Sequence, residues 1–242
     1  MDEVNAIAEG VWGRILRMKI LYFLIGCAWL HIILSSQYEA LMLKEQKMLM
    51  ADMSFFLAGL GAVLSVLTLT FDLSKDLRQG TAIAYLSKSV SRTQYIFGKF
   101  LGTVWVGVVV TVLIAIGFFM IHNATYGSLP VVMVKAHLLI IISVLPMAAI
   151  ALFFSTILSE AAAAVLTVAT IWMAYSANAI SSVSMLYGGI VPDLSLFNMR
   201  MEAVHGTQFG WSYIGLAFIW SVVYSVGLVS LSGIFFNKRD LG

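Results

Sequence analysis

Four histidines are the side chains of this 242-residue chain best suited to metal or acid–base chemistry. His31, His122, His137 and His205 all fall near the outer ends of apolar segments, where several methionines also occur. Imidazole and thioether ligands together suit a soft ion such as Cu(I). The histidines lack the close spacing of a metal-binding motif, however. The sequence therefore predicts no metal site and leaves these four histidines as the only candidates for one.

Motifs for other chemistry are missing. There is no H-E-x-x-H pair and no G-x-S-x-G segment, so an intramembrane hydrolase is disfavoured. Gly98-Lys99 has the last Gly-Lys of a phosphate loop, but Thr93 stands where that loop needs a glycine and Phe100 where it needs Ser or Thr. We expect the chain by itself to be no enzyme and to bind no cofactor, so any ATP and Mg would be held by a separate partner.

The composition predicts that most of this protein is surrounded by membrane lipid. Hydrophobic residues make up 61% of the chain and charged residues 11%, and the mean hydropathy is +0.96. Long intervals free of Asp, Glu, Lys and Arg each have room for a spanning helix of about 20 residues. Their apolar residues are continuous rather than alternating, which indicates helices and not barrel strands. We predict an all-α integral membrane protein, one domain over 1–242, with six transmembrane helices near 20–34, 53–70, 100–121, 137–154, 161–180 and 211–236.

Basic residues set the expected orientation. Of the 14 Lys and Arg residues, ten fall in segments on one side of the predicted membrane and four on the other. The richer side is cytoplasmic by the positive-inside rule, so both termini are expected in the cytoplasm of a multi-pass cell-membrane protein. The net charge of +2 then follows from topology, and no nucleic-acid partner is expected. The four outer residues are Lys44, Lys47, Lys135 and Arg200.

The residues before the first span have the pattern of an amphipathic helix. Val4, Ile7, Val11 and Ile15 recur at helical spacing. We interpret 1–19 as an interfacial helix on the cytoplasmic leaflet. A helix packed against a neighbouring subunit would give the same pattern, and the sequence leaves both open.

The stretch 71–99 is the most charged part of the chain and is expected to be a cytoplasmic segment with a short helix lying against the membrane. Ser91 and Gln94 match a capping box at the start of the third span. Gly98 and Gly102 are spaced for close helix packing just inside that span. The predicted spans themselves carry almost no ionisable residues, which argues against an ion-coupled carrier.

On the outer side, 181–210 is longer than a tight connection requires. It contains Gly188, Gly189 and Pro192 among apolar residues. An extracytoplasmic connection or a re-entrant segment would both fit, the latter only if its backbone is buried in protein or lines a cavity.

Three stretches resemble ABC-2 type transporter permeases. The first stretch lies after the second span. In it an acidic residue is followed in order by Gly-Thr, by Ser-Arg, and by Gly-Lys at the start of the third span. Ser89 stands where that family usually has a proline. The other two are the outer segment before the last span and the C-terminal tail. The matching residues are Asp76 to Thr81, Leu86 to Arg92, Tyr95 to Lys99, Pro192 to Phe197 and Phe235 to Leu241.

This resemblance implies a fold, partners and a coupling site. It implies the membrane subunit of a bacterial or archaeal ATP-binding cassette exporter. Two copies of a separate ATPase subunit would supply ATP hydrolysis, and the second permease subunit would be a copy of this chain or a sister chain. By the same resemblance a cytoplasmic coupling helix would contact the ATPase through Asp76, Arg78, Gly80, Thr81, Leu86, Ser87, Val90, Ser91 and Arg92.

The expected cargo is hydrophobic or amphipathic, because the spans offer apolar, aromatic and Ser side chains. A peptide or antibiotic is the first choice and a lipid-linked molecule the second. Two alternatives stay open. One is a permease that supports maturation of an extracytoplasmic copper enzyme, and the other is a membrane assembly factor that transports nothing.

Overall fold

The structure is a computed structural model that describes residues 2–15, 17–37, 46–87, 90–176 and 192–238. Within those ranges every regular element is a helix and there are no strands. The elements in chain order are α1 (Asp2–Ile15), α2 (Lys19–Ser35), α3 (Gln46–Arg78), α4 (Thr81–Leu86), α5 (Arg92–Tyr126), α6 (Val131–Ile157), α7 (Glu160–Tyr175), a 3-10 helix (Leu194–Phe197), α8 (Arg200–His205) and α9 (Trp211–Lys238).

Four helices, α3, α5, α6 and α9, are long and apolar enough to cross a membrane. The chain is thus an all-helical protein of membrane character, as its composition predicts. Helices α2 and α7 are also apolar but have only 17 and 16 residues. At 1.5 Å per residue each is about 25 Å long, less than the ~30 Å of a hydrocarbon core. Within the described residues, four of the six predicted spans therefore meet the length requirement.

Contacts between helix ends define two ends of the bundle. At the α4 end, Arg78 of α3 pairs with Glu160 of α7, and Arg92 of α5 donates to the carbonyls of Phe236 and Asn237 at the end of α9. At the opposite end, which we call the α8 end, Asp52 pairs with Arg200. Helices α2, α3, α5, α6, α7 and α9 all run between these ends, with α1 and the last turn of α9 both at the α4 end.

Helix α6 lies at the centre and packs against α3, α5, α7 and α9. Its run Ala148 to Leu152 is fully or almost fully buried. Small side chains let neighbouring helix backbones come close, which in lipid supplies van der Waals contact where the hydrophobic effect between helices is weak. Gly107 of α5 illustrates this, because a Cβ there would lie 2.5 Å from a methyl of Val144.

The charged stretch 71–99 has different boundaries from those predicted. Residues 71–78 continue α3, and residues 92–99 already belong to α5. Only 79–91 connects the two helices, with α4 within it and residues 88 and 89 outside the described ranges. The predicted spans stop near the charged residues, whereas α3 and α5 extend past them, because Lys99 pairs with Asp72 and Asp76.

Helix α1 packs on α5 within the same chain. Ile7, Val11 and Ile15 are buried at 2%, 0% and 1% exposure, and they form the apolar stripe that suggested a membrane-surface helix. A Cβ on Gly98 would lie 2.8 Å from the Cβ of Ile7, and one on Gly102 would lie 2.7 Å from the Cβ of Val11. The stripe is therefore covered by α5 of this chain, and neither lipid nor a second subunit is needed to account for it.

The predicted capping box at the start of α5 is confirmed. The backbone N–H of Gln94 donates to the Ser91 hydroxyl at 3.2 Å, and the Ser91 N–H donates to the Gln94 side chain at 2.8 Å. Two otherwise unpaired N–H groups of the first turn are thereby satisfied. The start of α5 is fixed at the point where the chain leaves α4.

Part of the outer segment 181–210 lies outside the described residues, namely 181–191. From Pro192 onward the chain forms the 3-10 helix and then α8. Leu194 and Phe197 are buried at 0% and 1% exposure, and the 3-10 helix contacts α6 and α7. This portion is therefore packed onto the bundle at the α8 end.

Candidate functional site

A cluster of five polar side chains, four of them buried and Arg14 partly exposed, joins α1, α3 and α5 at the α4 end. Arg14 donates from Nη1 to Oδ1 of Asp76 at 2.8 Å and from Nη2 to Oδ2 of Asp72 at 3.2 Å. Lys99 pairs with both carboxylates, and its Nζ is 2.5 Å from Oδ2 of Asp76. The hydroxyl of Tyr95 donates to the same Oδ2 at 2.8 Å. We call these residues the charge cluster.

The charge cluster is electrically balanced and largely removed from water. Two cations face two anions, and the side chains of Lys99 and Asp76 are exposed by 0% and 1%. Burial opposes the charged form of Arg14, but the carboxylates of Asp72 and Asp76 outweigh it and raise the pKa of Arg14. Because a buried charge is costly without its partner, the three helices are held in one register.

The spacing of polar residues along α3 and α5 explains how these two helices meet at the charge cluster. Asp72 and Asp76 are four residues apart on α3, and Tyr95 and Lys99 are four residues apart on α5. Residues at i and i+4 lie on one helix face, one turn apart. Each helix thus presents a pair of polar groups to the other, and Arg14 of α1 closes the cluster from the side.

Helix α4 forms the tip of the hairpin made by α3 and α5. Gly80 adopts φ +69°, a left-handed conformation that favours glycine, and it turns the chain from α3 into α4. Ala82 is buried against the bundle, whereas Ile83 is 47% exposed and faces away from it. The helix is therefore anchored on one side and presents an apolar side chain on the other.

The residues predicted to contact an ATPase fall into three groups by exposure. Asp76 is buried and committed to the charge cluster, so its carboxylate is directed to the inside of this chain. Arg78, Ser87 and Ser91 are exposed. Gly80, Thr81, Leu86, Val90 and Arg92 are half-buried, and Arg92 is bonded to the end of α9. A surface contact at this end would involve the three exposed residues and Ile83, which is not among the predicted contact residues.

Sequence reasoning missed Arg14, Tyr95 and Lys99 as members of a site. The i, i+4 pairs Asp72/Asp76 and Tyr95/Lys99 are visible in the sequence and signal two polar faces. The prediction places both pairs in a cytoplasmic segment outside the spans, so it does not bring the two polar faces together. Arg14 carries no such signal, because its partners are 58 and 62 residues away.

The predicted histidines are not brought together. His31 is exposed on α2 and bonded through Nδ1 to the carbonyl of Cys27 at 2.8 Å, and His205 is exposed at the end of α8. His122 and His137 both lie against Phe118, with ring centroids 5.4 and 5.2 Å from its ring. The Nε2 of His137 is 2.9 Å from the Ser54 hydroxyl. Among the residues that the structure describes, no three His, Cys, Asp or Glu side chains form a group that could hold a metal ion.

A cavity of about 450 Å³ lies between α3, α6 and α7 at the α8 end. Phe55, Gly59 and Val63 of α3 form one wall, and Ile171 and Tyr175 of α7 form the opposite wall. Ser176, Asn198 and Arg200 supply polar groups at one end only. The volume lies within the ~300–1,000 Å³ range of small-molecule sites, and the lining is mainly apolar as such sites require.

Comparisons with known proteins add no family assignment. No protein-family model matches the chain, and no curated protein sequence matches it either.

Proposed function

We propose that this chain is the membrane subunit of an ATP-driven exporter whose motor is a separate ATPase polypeptide that docks on α4. The observation that carries the proposal is the α3–α4–α5 hairpin: two long helices with a short, partly exposed helix at their tip and a buried charge cluster directly behind it. The three stretches that resemble ABC-2 type permeases support the same assignment. The α4 end would be cytoplasmic, in agreement with the excess of Lys and Arg there.

The hairpin is suited to pass a displacement from one end of the bundle to the other. The charge cluster holds α3 and α5 together just behind α4, and the Ser91 cap fixes the first turn of α5, so a push on α4 would move both helices as one body. Helices α3 and α5 have 33 and 35 residues and extend about 50 Å, well past the hydrocarbon core. Motion at the tip would therefore reach the cavity wall formed by α3.

Transport by such a device requires two arrangements of the bundle that differ in their contacts to the motor. The ion pair between Arg78 and Glu160 connects the hairpin to α7. The hydrogen bonds from Arg92 to the end of α9 connect it to α9. These contacts at the α4 end would change when the hairpin moves.

We propose that six helices span the membrane, with the shorter α2 and α7 inclined least. A second permease subunit, either a copy or a sister chain, would complete the transporter.

Photo-crosslinking at Ile83 tests the docking site. We expect a photoreactive phenylalanine analogue at position 83 to capture an ATPase subunit in the native host membrane, because Ile83 is 47% exposed at the tip of the hairpin. The matched control is the same analogue at Ile157, which is 41% exposed at the α4 end of α6 but away from the tip.

The expected readout is an ATPase identified by mass spectrometry in the position-83 adduct, with at least a several-fold lower yield from position 157. Equal yields at both positions would show that α4 is not the docking element. Adducts of position 83 that contain lipid or other proteins, with no ATPase, would overturn the proposal and favour an assembly factor.

A further inference from the structure

The cavity between α3 and α7 has an apolar mouth. Its mouth is formed by Phe56 and Leu60 on α3 and by Val168 and Trp172 on α7. Phe56 and Trp172 are exposed by 54% and 71%. Both belong to helices whose outer surfaces are apolar, so in a bilayer this mouth would face the acyl chains. A ligand would therefore enter sideways from the bilayer.

The cavity has the length of one leaflet. Its wall runs along α3 from Phe55 to Val63 and along α7 from Val168 to Ser176, a rise of eight residue steps in each case. At 1.5 Å per residue this is about 12 Å, close to the ~15 Å of hydrocarbon in a single leaflet. A lipid of the leaflet at the α8 end could place an acyl chain in it without leaving its own layer.

Polar groups occur at the end where a lipid headgroup would lie. Arg200 lines that end and is paired through Nε and Nη2 with Asp52 of α3. A guanidinium has five N–H donors, more than these two bonds use, and it binds phosphate well. Asn198 and Ser176 add further hydrogen-bonding groups at the same level. A headgroup bearing a phosphate fits this end, whereas an alkyl chain fits the rest.

We infer that this cavity binds one acyl chain of a membrane phospholipid-type amphiphile, with its phosphate against Arg200, and that such amphiphiles are the cargo class of the proposed exporter. Lipid binding is inferred from the cavity alone. Only the role of the bound lipid as cargo rests on the proposed function. The proposed cargo is therefore a lipid, whereas a peptide or antibiotic is the first expectation from sequence.

Gly59 offers a way to close the cavity without disturbing the fold. A Cβ at Gly59 would meet no atom within 4 Å, so a larger side chain extends into the empty space. Replacing glycine inside a helix also improves helix propensity. Gly215 on α9 is the matched control, because it is likewise a helical glycine with no atom within 4 Å of a Cβ and it does not line the cavity.

The test uses purified full-length chain in nanodiscs containing phosphatidic acid with a diazirine in one acyl chain. We expect photolabelling on the α3 and α7 peptides that line the cavity, and a decrease of at least about tenfold in Gly59→Phe, since each CH2 excluded from an apolar site costs several-fold in affinity. Gly215→Phe should label like the wild type. Equal labelling of Gly59→Phe and wild type, or no cavity label in wild type, would overturn the inference.

A second probe tests the headgroup. Diacylglycerol with the same diazirine chain lacks the phosphate and should label several-fold less than phosphatidic acid. The double variant Asp52→Asn/Arg200→Gln removes the ion pair without leaving a lone charge and should abolish that difference. Equal labelling of wild type by the two probes would refute the role of Arg200. Neither probe needs ATP or an ATPase, so these results are independent of the crosslinking at Ile83.

Discussion

Lys99→Met should destabilise the protein by about 3–5 kcal/mol, the usual cost of removing one partner from a buried ion pair. The side chain of Lys99 is fully buried and pairs with both Asp72 and Asp76. Met has a similar length and keeps the packing, so the loss comes from charge. Asp72 and Asp76 would then share the single cation Arg14, so one buried negative charge would stay unbalanced unless a carboxylate took up a proton. Denaturation in mixed micelles, followed by far-UV circular dichroism, measures the change.

A double-mutant cycle separates charge from packing. In Lys99→Met/Asp72→Asn the charges balance again, since Arg14 faces Asp76 alone. We expect this variant to recover most of the stability lost by the single variant, because two neighbours that share a buried network are not additive. A double variant as unstable as the sum of the two single variants would contradict the pairing seen in the structure, and so would a single Lys99→Met variant with wild-type stability.

Gly102→Leu should release α1 from α5. A Cβ at this position would lie 2.7 Å from the Cβ of Val11 and 2.9 Å from the carbonyl oxygen of Ala8. One of these atoms is backbone, so the contact cannot be relieved by a side-chain rotation and α1 must move. Overpacking of this kind costs about 1–3 kcal/mol. Arg14 would be withdrawn from the charge cluster in the same motion, which adds to the loss.

Cysteine labelling reports the release directly. In a Cys27→Ala background, which removes the single native cysteine, Ile15→Cys places a thiol at a site that is 1% exposed. Adding Gly102→Leu should raise the maleimide reaction rate about tenfold, the factor that corresponds to 1.4 kcal/mol. Gly26→Leu is the control, since a Cβ at Gly26 on α2 meets nothing within 4 Å. Equal rates in the two variants would rule out the close α1–α5 contact.

The fold class and the start of α5 can be predicted from the sequence. Pairs of charges that are far apart in the chain cannot. Apolar runs predict the long helices, and Ser91 with Gln94 predicts the start of α5, because both depend on residues close in the chain. The predicted second span stops at residue 70 and the third begins at residue 100, both inside the helices that the structure shows, because each charge is interpreted as a sign of water. Asp72 and Lys99 instead satisfy one another, and such pairing cannot be read without knowing which helices are neighbours.

The cavity was even less accessible to sequence reasoning. Its walls come from segments more than 100 residues apart, such as Gly59 and Ile171, and neither residue differs in type from others on lipid-facing surfaces. The apolar stripe of α1 illustrates a related problem. A stripe formed by Ile7, Val11 and Ile15 looks the same whether lipid or another helix covers it, and only the contact with Gly98 and Gly102 decides between them.

Reconstitution with the motor tests the central claim, namely that this chain moves cargo only when a separate ATPase acts on α4. The chain would be placed in proteoliposomes with the ATPase captured at position 83, and transfer of a fluorescent phospholipid between leaflets would be measured. We predict transfer that requires both proteins and hydrolysable ATP, and that is lost with a non-hydrolysable analogue. Transfer at the same rate by this chain alone, or with the analogue, would contradict the account.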